Sequence, residues 1–189
     1  MVTLSNNKKI QIVDAVFHIT LALERWFPDN NGAFAYGTRL CEESGELMEA
    51  IGTLPKQPRA KDRHHLIKEV ADVLQIALGV LNIYDLRAQL PKDFADFGFS
   101  SDPKDPQKYV LLIGVRAGEF ANSINHAQGA GIKTQKHGNQ TKERMVEKAT
   151  KLAQVLAWVI NYYGLHDQFN DQVAEDYHRL QERGLIPKL

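Results

Sequence analysis

The chain has 189 residues, 43% of them apolar, with 23 basic and 23 acidic side chains and a formal net charge of zero. That length suits one domain or two small halves sharing a core, and the charge balance disfavours non-specific binding to nucleic acid or acidic membranes. The single cysteine, Cys41, excludes an internal disulfide and a Cys-based zinc cluster and suits a cytoplasmic setting. The opening MVTLSNNKKI lacks the apolar stretch of a signal peptide, and no apolar run reaches the roughly 18 residues of a membrane span.

Apolar residues recur at three and four along most of the chain, which predicts helices. The first covers 8–27, carried by Ile10, Val13, Val16, Phe17 and Leu21, and Pro28 stops it. The second covers 32–51, with Asn30 or Asn31 as N-cap and Gly52 just past its end. The third covers 61–88. Residues 91–107 hold three prolines, Gly98 and several Asp and Ser, and read as a linker. Further helices are predicted at 107–126, 141–164 and 166–183, with a Gly-rich basic loop at 129–139. No segment alternates with period two, so the expected fold class is all-α.

The chain also resembles itself. LCEESGELMEAI (40–51) aligns with IGVRAGEFANSI (113–124), and IKEVADVLQIALGVLNIYDL (67–86) with VEKATKLAQVLAWVINYYGL (146–165). Gln75, Val80, Asn82, Tyr84 and Leu86 meet identical residues in the second copy. One helical hairpin cannot bury its own apolar stripe, whereas two stacked hairpins can form a four-helix core. The expected organisation is one compact fused pseudo-dimer: a first repeat at 1–90, a linker at 91–106 and a degenerate repeat at 107–189. Asn82 and Asn161, at matching positions in apolar helices, are expected to hydrogen-bond between helices or, for Asn82, to touch a ligand.

The first copy carries the chemistry. Glu43 and Glu46 are three apart on one helix face, and Glu69 and Asp72 repeat that spacing on the next helix. Antiparallel packing would aim both pairs at one spot. Converging carboxylates repel unless a cation lies among them, and Mg²⁺ suits an all-oxygen site that also bridges to phosphates, with Mn²⁺ as a substitute. Solvated surface charge is the alternative, and it is the usual explanation of a lone E-x-x-E. In the second copy these positions become Arg116, Lys148 and Lys151, Glu42 becomes Val115, and only Glu46 persists, as Glu119. Such a site cannot bind Mg²⁺, so one metal site per chain is expected.

EESGEL (42–47) with EVAD (69–72) resembles the MazG-like all-α NTP pyrophosphohydrolase superfamily, which includes dimeric dUTPases and dCTP pyrophosphatases. ERWFPDNNGAFAYGTRL (24–40) is similar to the stretch that leads into this motif. The resemblance implies a Mg²⁺-dependent hydrolase of acid anhydrides that converts (d)NTP and water to (d)NMP and pyrophosphate, in nucleotide-pool house-cleaning. It implies Glu43, Glu46, Glu69 and Asp72 as metal ligands and Glu42 as the residue that orients or deprotonates water. Arg39 and Lys68 are placed to meet phosphate, or are ordinary surface charges; Trp26 and Phe34 meet the nucleoside or belong to the core, and Asn82 meets it or bonds between helices. A nucleoside triphosphate is the expected partner, with no nucleic acid and no membrane, and a homodimer of pseudo-dimeric chains is compatible with the family. Two other classes stay open: a non-catalytic nucleotide-binding or regulatory protein, and a di-iron carboxylate protein, for which Glu175-x-x-His178 is the one clear motif.

Overall fold

The structure is a computed structural model that describes residues 2–3, 9–30, 32–55, 57–98, 101–129 and 142–187. Among the described residues six α-helices follow in order: α1 (Ile12–Trp26), α2 (Ala33–Gly52), α3 (Ala60–Ile83), α4 (Pro106–Ala127), α5 (Lys142–Tyr162) and α6 (His166–Glu182). The fold is all-α apart from one small antiparallel pair, β1 (Val2–Thr3) with β2 (Lys9–Ile10), in which Val2 faces Ile10. The helix expected from residue 8 therefore starts later, at Ile12, because Lys9 and Ile10 are taken up by the strand pair.

Other boundaries shift for identifiable reasons. Gly32, not Asn30, is the extended residue that opens α2, and no side chain caps it; Asn30 closes a short 3-10 turn (Pro28–Asn30), and Asn31 lies outside the described residues. Gly52 is the last residue of α2 rather than the one beyond it. The third helix stops at Ile83, five residues short of expectation, because Asp85 turns into the left-handed region (φ 57°). There Leu86 N–H donates to the Leu81 carbonyl (2.8 Å) and Asp85 N–H to that of Asn82 (3.0 Å), the paired closure that satisfies a helix end. α5 ends the same way, with Gly164 (φ 64°) donating to Asn161 and Leu165 to Ile160. α4 begins at Asp105, whose carboxylate accepts from Gln107 N–H (3.0 Å), and Pro106 occupies the first turn. Most of the Gly-rich loop predicted at 129–139 lies outside the described residues.

α2, α3, α4 and α5 make the core. α2 packs on α3 and α4, and α4 packs on α5. A Cβ at Gly114 would lie 3.3 Å from Met48 Sδ, and one at Gly37 would lie 4.0 Å from Ile124 Cδ1, so α2 and α4 run antiparallel at close range. α1 and α6 pack on each other and both rest on α3. α3 is thus enclosed on several sides, and thirteen of its residues are buried. Tight enclosure of this helix is what places Glu69 in the interior. No helix among the described residues is long and apolar enough to cross a membrane.

Candidate active site

α2 and α3 form an antiparallel hairpin in which Tyr36 meets Gly79 at one level and Glu43 meets α3 lower down. Carboxylate oxygens of Glu43, Glu69 and Asp72 all lie within 4.8 Å of one another. This is the single group of three or more metal-ligating side chains of that kind among the described residues. Glu69 is 1% exposed, an uncommon position for a carboxylate without full pairing. Its Oε1 accepts from Lys68 Nζ at 3.0 Å and lies 3.2 Å from His65 Nδ1. Its Oε2 is buried with no hydrogen-bond partner. Lys68 also reaches Asp72 Oδ2 at 2.9 Å, and Arg39 stands 3.9 Å from Glu43.

The electrostatics follow from that geometry. Burial pushes the Glu43 carboxyl up to about 7, and the charges of Asp72 and Glu46 add to the shift while Arg39 and Lys68 oppose it. Burial also raises Glu69, against the pull of Lys68 and with the push of Asp72 and Glu46. Burial works against charge on Lys68, yet its hydrogen bonds to Asp72 and Glu69 hold the ammonium above the usual lysine range. One lysine therefore leaves the cluster short of positive charge and leaves Glu69 Oε2 without a donor. A hard divalent cation held by Glu43, Glu69 and Asp72 would supply both, since such ions take carboxylate oxygens and cancel their repulsion.

Glu46 is exposed and stands outside the 4.8 Å group, but its charge acts on both Glu43 and Glu69. Glu42 is exposed beside it.

Two cavities flank the carboxylates and share Leu23 and Gln75 in their walls. The first, about 280 Å³, lies among α1, α2 and α3 and is lined by Thr20, Leu23, Glu24, Phe27, Tyr36, Arg39, Gln75 and Ile76. Glu24 is anchored there: Tyr36 Oη donates to its Oε1 (2.6 Å) and Asn82 Nδ2 to its Oε2 (3.3 Å). Tyr36 fits because α3 has no side chain opposite it: a Cβ on Gly79 would come within 2.5 Å of the ring. The second cavity, also about 280 Å³, runs between α3 and α6, with Lys68 and Asp72 on one wall and Gln172, Asp176 and Arg179 on the other.

Of the residues expected to meet substrate, Arg39 lines the first cavity and Lys68 the second. Trp26 (42% exposed) and Phe34 (55% exposed) line neither; Phe27 takes the aromatic place in the wall, while Trp26 stacks on Phe27 and under Arg183. Both asparagines hydrogen-bond between helices, but not to each other across the two hairpins. Asn82 bonds Glu24 on α1, and Asn161 is exposed, with its Oδ1 3.4 Å from His166 Nε2. The reason is that α1 covers the end of α3 that carries Asn82. Glu175 and His178 belong to no group of metal-ligating side chains found among the described residues.

At the matching positions of the second hairpin, basic side chains stand where carboxylates stood. Arg116 donates to Glu119 Oε2 at 2.8 Å, Lys148 lies 3.4 Å from the same oxygen, and Lys151 pairs with Glu147. The hydrogen bond from Arg116 holds Glu119 below the usual carboxylate range. These basic side chains are paired with acidic neighbours within the same hairpin.

Residues 33–92 match the family of the MazG nucleotide pyrophosphohydrolase domain. This segment is similar to that domain. It comprises α2, α3 and the turn that follows, and it contains Glu42, Glu43, Glu46, Glu69 and Asp72. Members of the family are nucleotide pyrophosphohydrolases, which act on acid anhydrides, and they typically depend on a divalent metal. No curated protein and no solved structure gives a significant match. The MazG-like domain supplies the carboxylates, whereas Thr20, Glu24 and Phe27 come from α1 and Gln172, Asp176 and Arg179 from α6, outside it. Sequence reasoning missed these six. No periodicity or motif in the chain marks them, because their place in the walls depends on how α1 and α6 pack on α3.

Proposed function

We propose that this chain is a Mg²⁺-dependent pyrophosphohydrolase of nucleoside triphosphates, converting (d)NTP and water to (d)NMP and pyrophosphate in cytoplasmic nucleotide-pool house-cleaning. The observation that carries the reading is the carboxylate cluster with a buried, unpartnered Glu69 Oε2 and a Glu43 carboxyl raised to about 7. Glu43, Glu69 and Asp72 would hold the cation, with Glu46 close enough to join them on a small side-chain adjustment. Mg²⁺ held by these carboxylates would supply positive charge to offset the cluster and the polyphosphate and Lewis acidity toward the reacting phosphoryl group. Glu42 stands next to Glu43 on the solvent side and accepts the proton of the attacking water. A new P–O bond forms at the α-phosphorus, the bridging bond to the β-phosphate breaks, and pyrophosphate leaves. Lys68 moves from its bond with Glu69 and Asp72 toward phosphate oxygens once the cluster is neutralised.

The nucleoside belongs in the first cavity. Phe27, Leu23 and Ile76 give it apolar walls, and Thr20, Gln75 and the anchored Glu24 give polar edges that can read a base or sugar. The second hairpin is a degenerate copy in this reading, so each chain has one site. Several features support it: Tyr36 and Tyr109 are aligned, buried and bonded through their hydroxyls to Glu24 and Asp102, and α3 and α5 close with the same motif. Where Gly79 admits Tyr36, the aligned residue is Trp158, whose Nε1 donates to the Gly98 carbonyl at 3.0 Å and fills that space.

The test is a pyrophosphate-release screen over canonical and modified (d)NTPs with Mg²⁺ and Mn²⁺, with Glu46→Ala, Glu43→Ala and Asp72→Ala as controls. At least one nucleotide should be hydrolysed by the native chain, and Glu43→Ala and Asp72→Ala should be inactive. Equal turnover by native and Asp72→Ala protein would move the active site elsewhere.

A further inference from the structure

We propose that Arg179, on α6 and outside the MazG-like domain, binds the departing pyrophosphate, which lies in the cavity between α3 and α6. This rests on the pyrophosphohydrolase reading and adds to it where each end of the substrate goes. The two cavities share Leu23 and Gln75 in their walls, and Asp72 of the cluster lines the second. A substrate whose scissile bond sits at the cluster can extend one end toward each. The first cavity has mainly apolar walls and carries Glu24, held by Tyr36 and Asn82, with Arg39 as the one basic side chain in its lining. The second has two cations on opposite walls, Lys68 and Arg179, with His64 and the amide of Gln172 nearby.

Asp176 also lines this cavity, and its role decides the argument. Its Oδ1 accepts from Arg179 at 2.6 Å and its Oδ2 from Gln172 at 3.2 Å, so both oxygens are engaged. A guanidinium has five donors in a rigid fork. One is spent on Asp176, which fixes the fork, and the others are available to phosphate oxygens. The side chain is 59% exposed, so it contributes no core packing and is reachable by a ligand. Arg179 thus stands across the cavity from Lys68, where the leaving group gains a negative charge when the bridging bond breaks.

The experiment measures binding without turnover, using inorganic pyrophosphate with Mg²⁺ by calorimetry and Mn²⁺ alone by loss of the free-ion paramagnetic signal. Arg179→Met should weaken pyrophosphate binding about tenfold or more, with Arg179→Lys in between and Mn²⁺ affinity unchanged in both. Asp176→Asn, which removes an anion but keeps the arginine, should bind pyrophosphate as well as the native chain or better. Native-like pyrophosphate affinity in Arg179→Met overturns the proposal. So does an equal loss in Asp176→Asn, which would make the pair merely structural, or a parallel loss of Mn²⁺ binding in Arg179→Met. If the native chain binds Mn²⁺ but no pyrophosphate, this inference alone fails; if it binds no Mn²⁺, the metal-site reading fails with it.

Discussion

Replacing Glu43 by Gln should make the metal-free protein more stable while removing its activity. The carboxyl rises from 4.5 to about 7 in the fold, through burial first and then through Asp72 and Glu46. A raised carboxylate costs nothing below pH 4.5, where both states are protonated. The cost grows between 4.5 and 7 and is complete above 7, where the folded chain must ionise a group that resists it. A shift of that size corresponds to about 3 kcal/mol. The side chain is only 15% exposed, so solvent screens little of it. Gln keeps the shape and carries no charge. At pH 8 in EDTA, Glu43→Gln should therefore melt above the native chain, by up to about 10 °C for a chain of this size. At pH 4.5 the difference should vanish. With saturating Mg²⁺ at pH 8 the native chain should gain more than the variant, because bound metal stabilises by mass action. Differential scanning calorimetry under these three conditions checks the chain of reasoning. A variant that melts at or below the native temperature at pH 8 in EDTA would show that the cluster is not under electrostatic strain.

Three further outcomes are expected. Gly79→Ala puts a Cβ within 2.5 Å of the Tyr36 ring and forces it off Glu24, so denaturant unfolding should show a loss of about 1–3 kcal/mol together with weaker nucleotide binding. Asp85→Gly relieves a left-handed residue at the end of α3, where the matching position of α5 already has Gly164, and should raise stability by about 0.5–1 kcal/mol in the same assay. His18, near the Tyr177 hydroxyl, is held below its usual 6.5, chiefly by burial, with Asp14 opposing and Arg87 and Arg25 adding to the shift. The unfolded chain then takes up this proton first, so stability should fall as pH drops through 6.5 toward the lower folded value. His18→Phe should flatten that part of the pH profile in urea titrations, and an unchanged slope would assign the dependence to other groups.

The helices were legible because their cause is local. Apolar residues at three and four spacing, Pro28, and the prolines of the break act through neighbours in the chain. The spacing of Glu43, Glu69 and Asp72 was legible for the same reason, since it fixes which helix face each occupies. Ends decided by turn chemistry were less so. A glycine at 164 announces a left-handed closure, whereas the same closure at Asp85 is carried by a residue that seldom adopts it, and α3 was read five residues too long.

What the sequence determined on its own was an all-α chain with one hairpin rich in carboxylates and a second in which they are replaced by cations. Which carboxylates meet, and what stands beside them, was decided by packing. Glu69 is buried because α1, α2 and α6 all close on α3, and a side chain loses water only when several elements far apart in the chain surround it. The same closure brings Glu24 to Asn82 and Arg179 to the cavity that holds Lys68. No periodicity along one helix records those distances, because they depend on the relative placement of helices that are far apart in the chain.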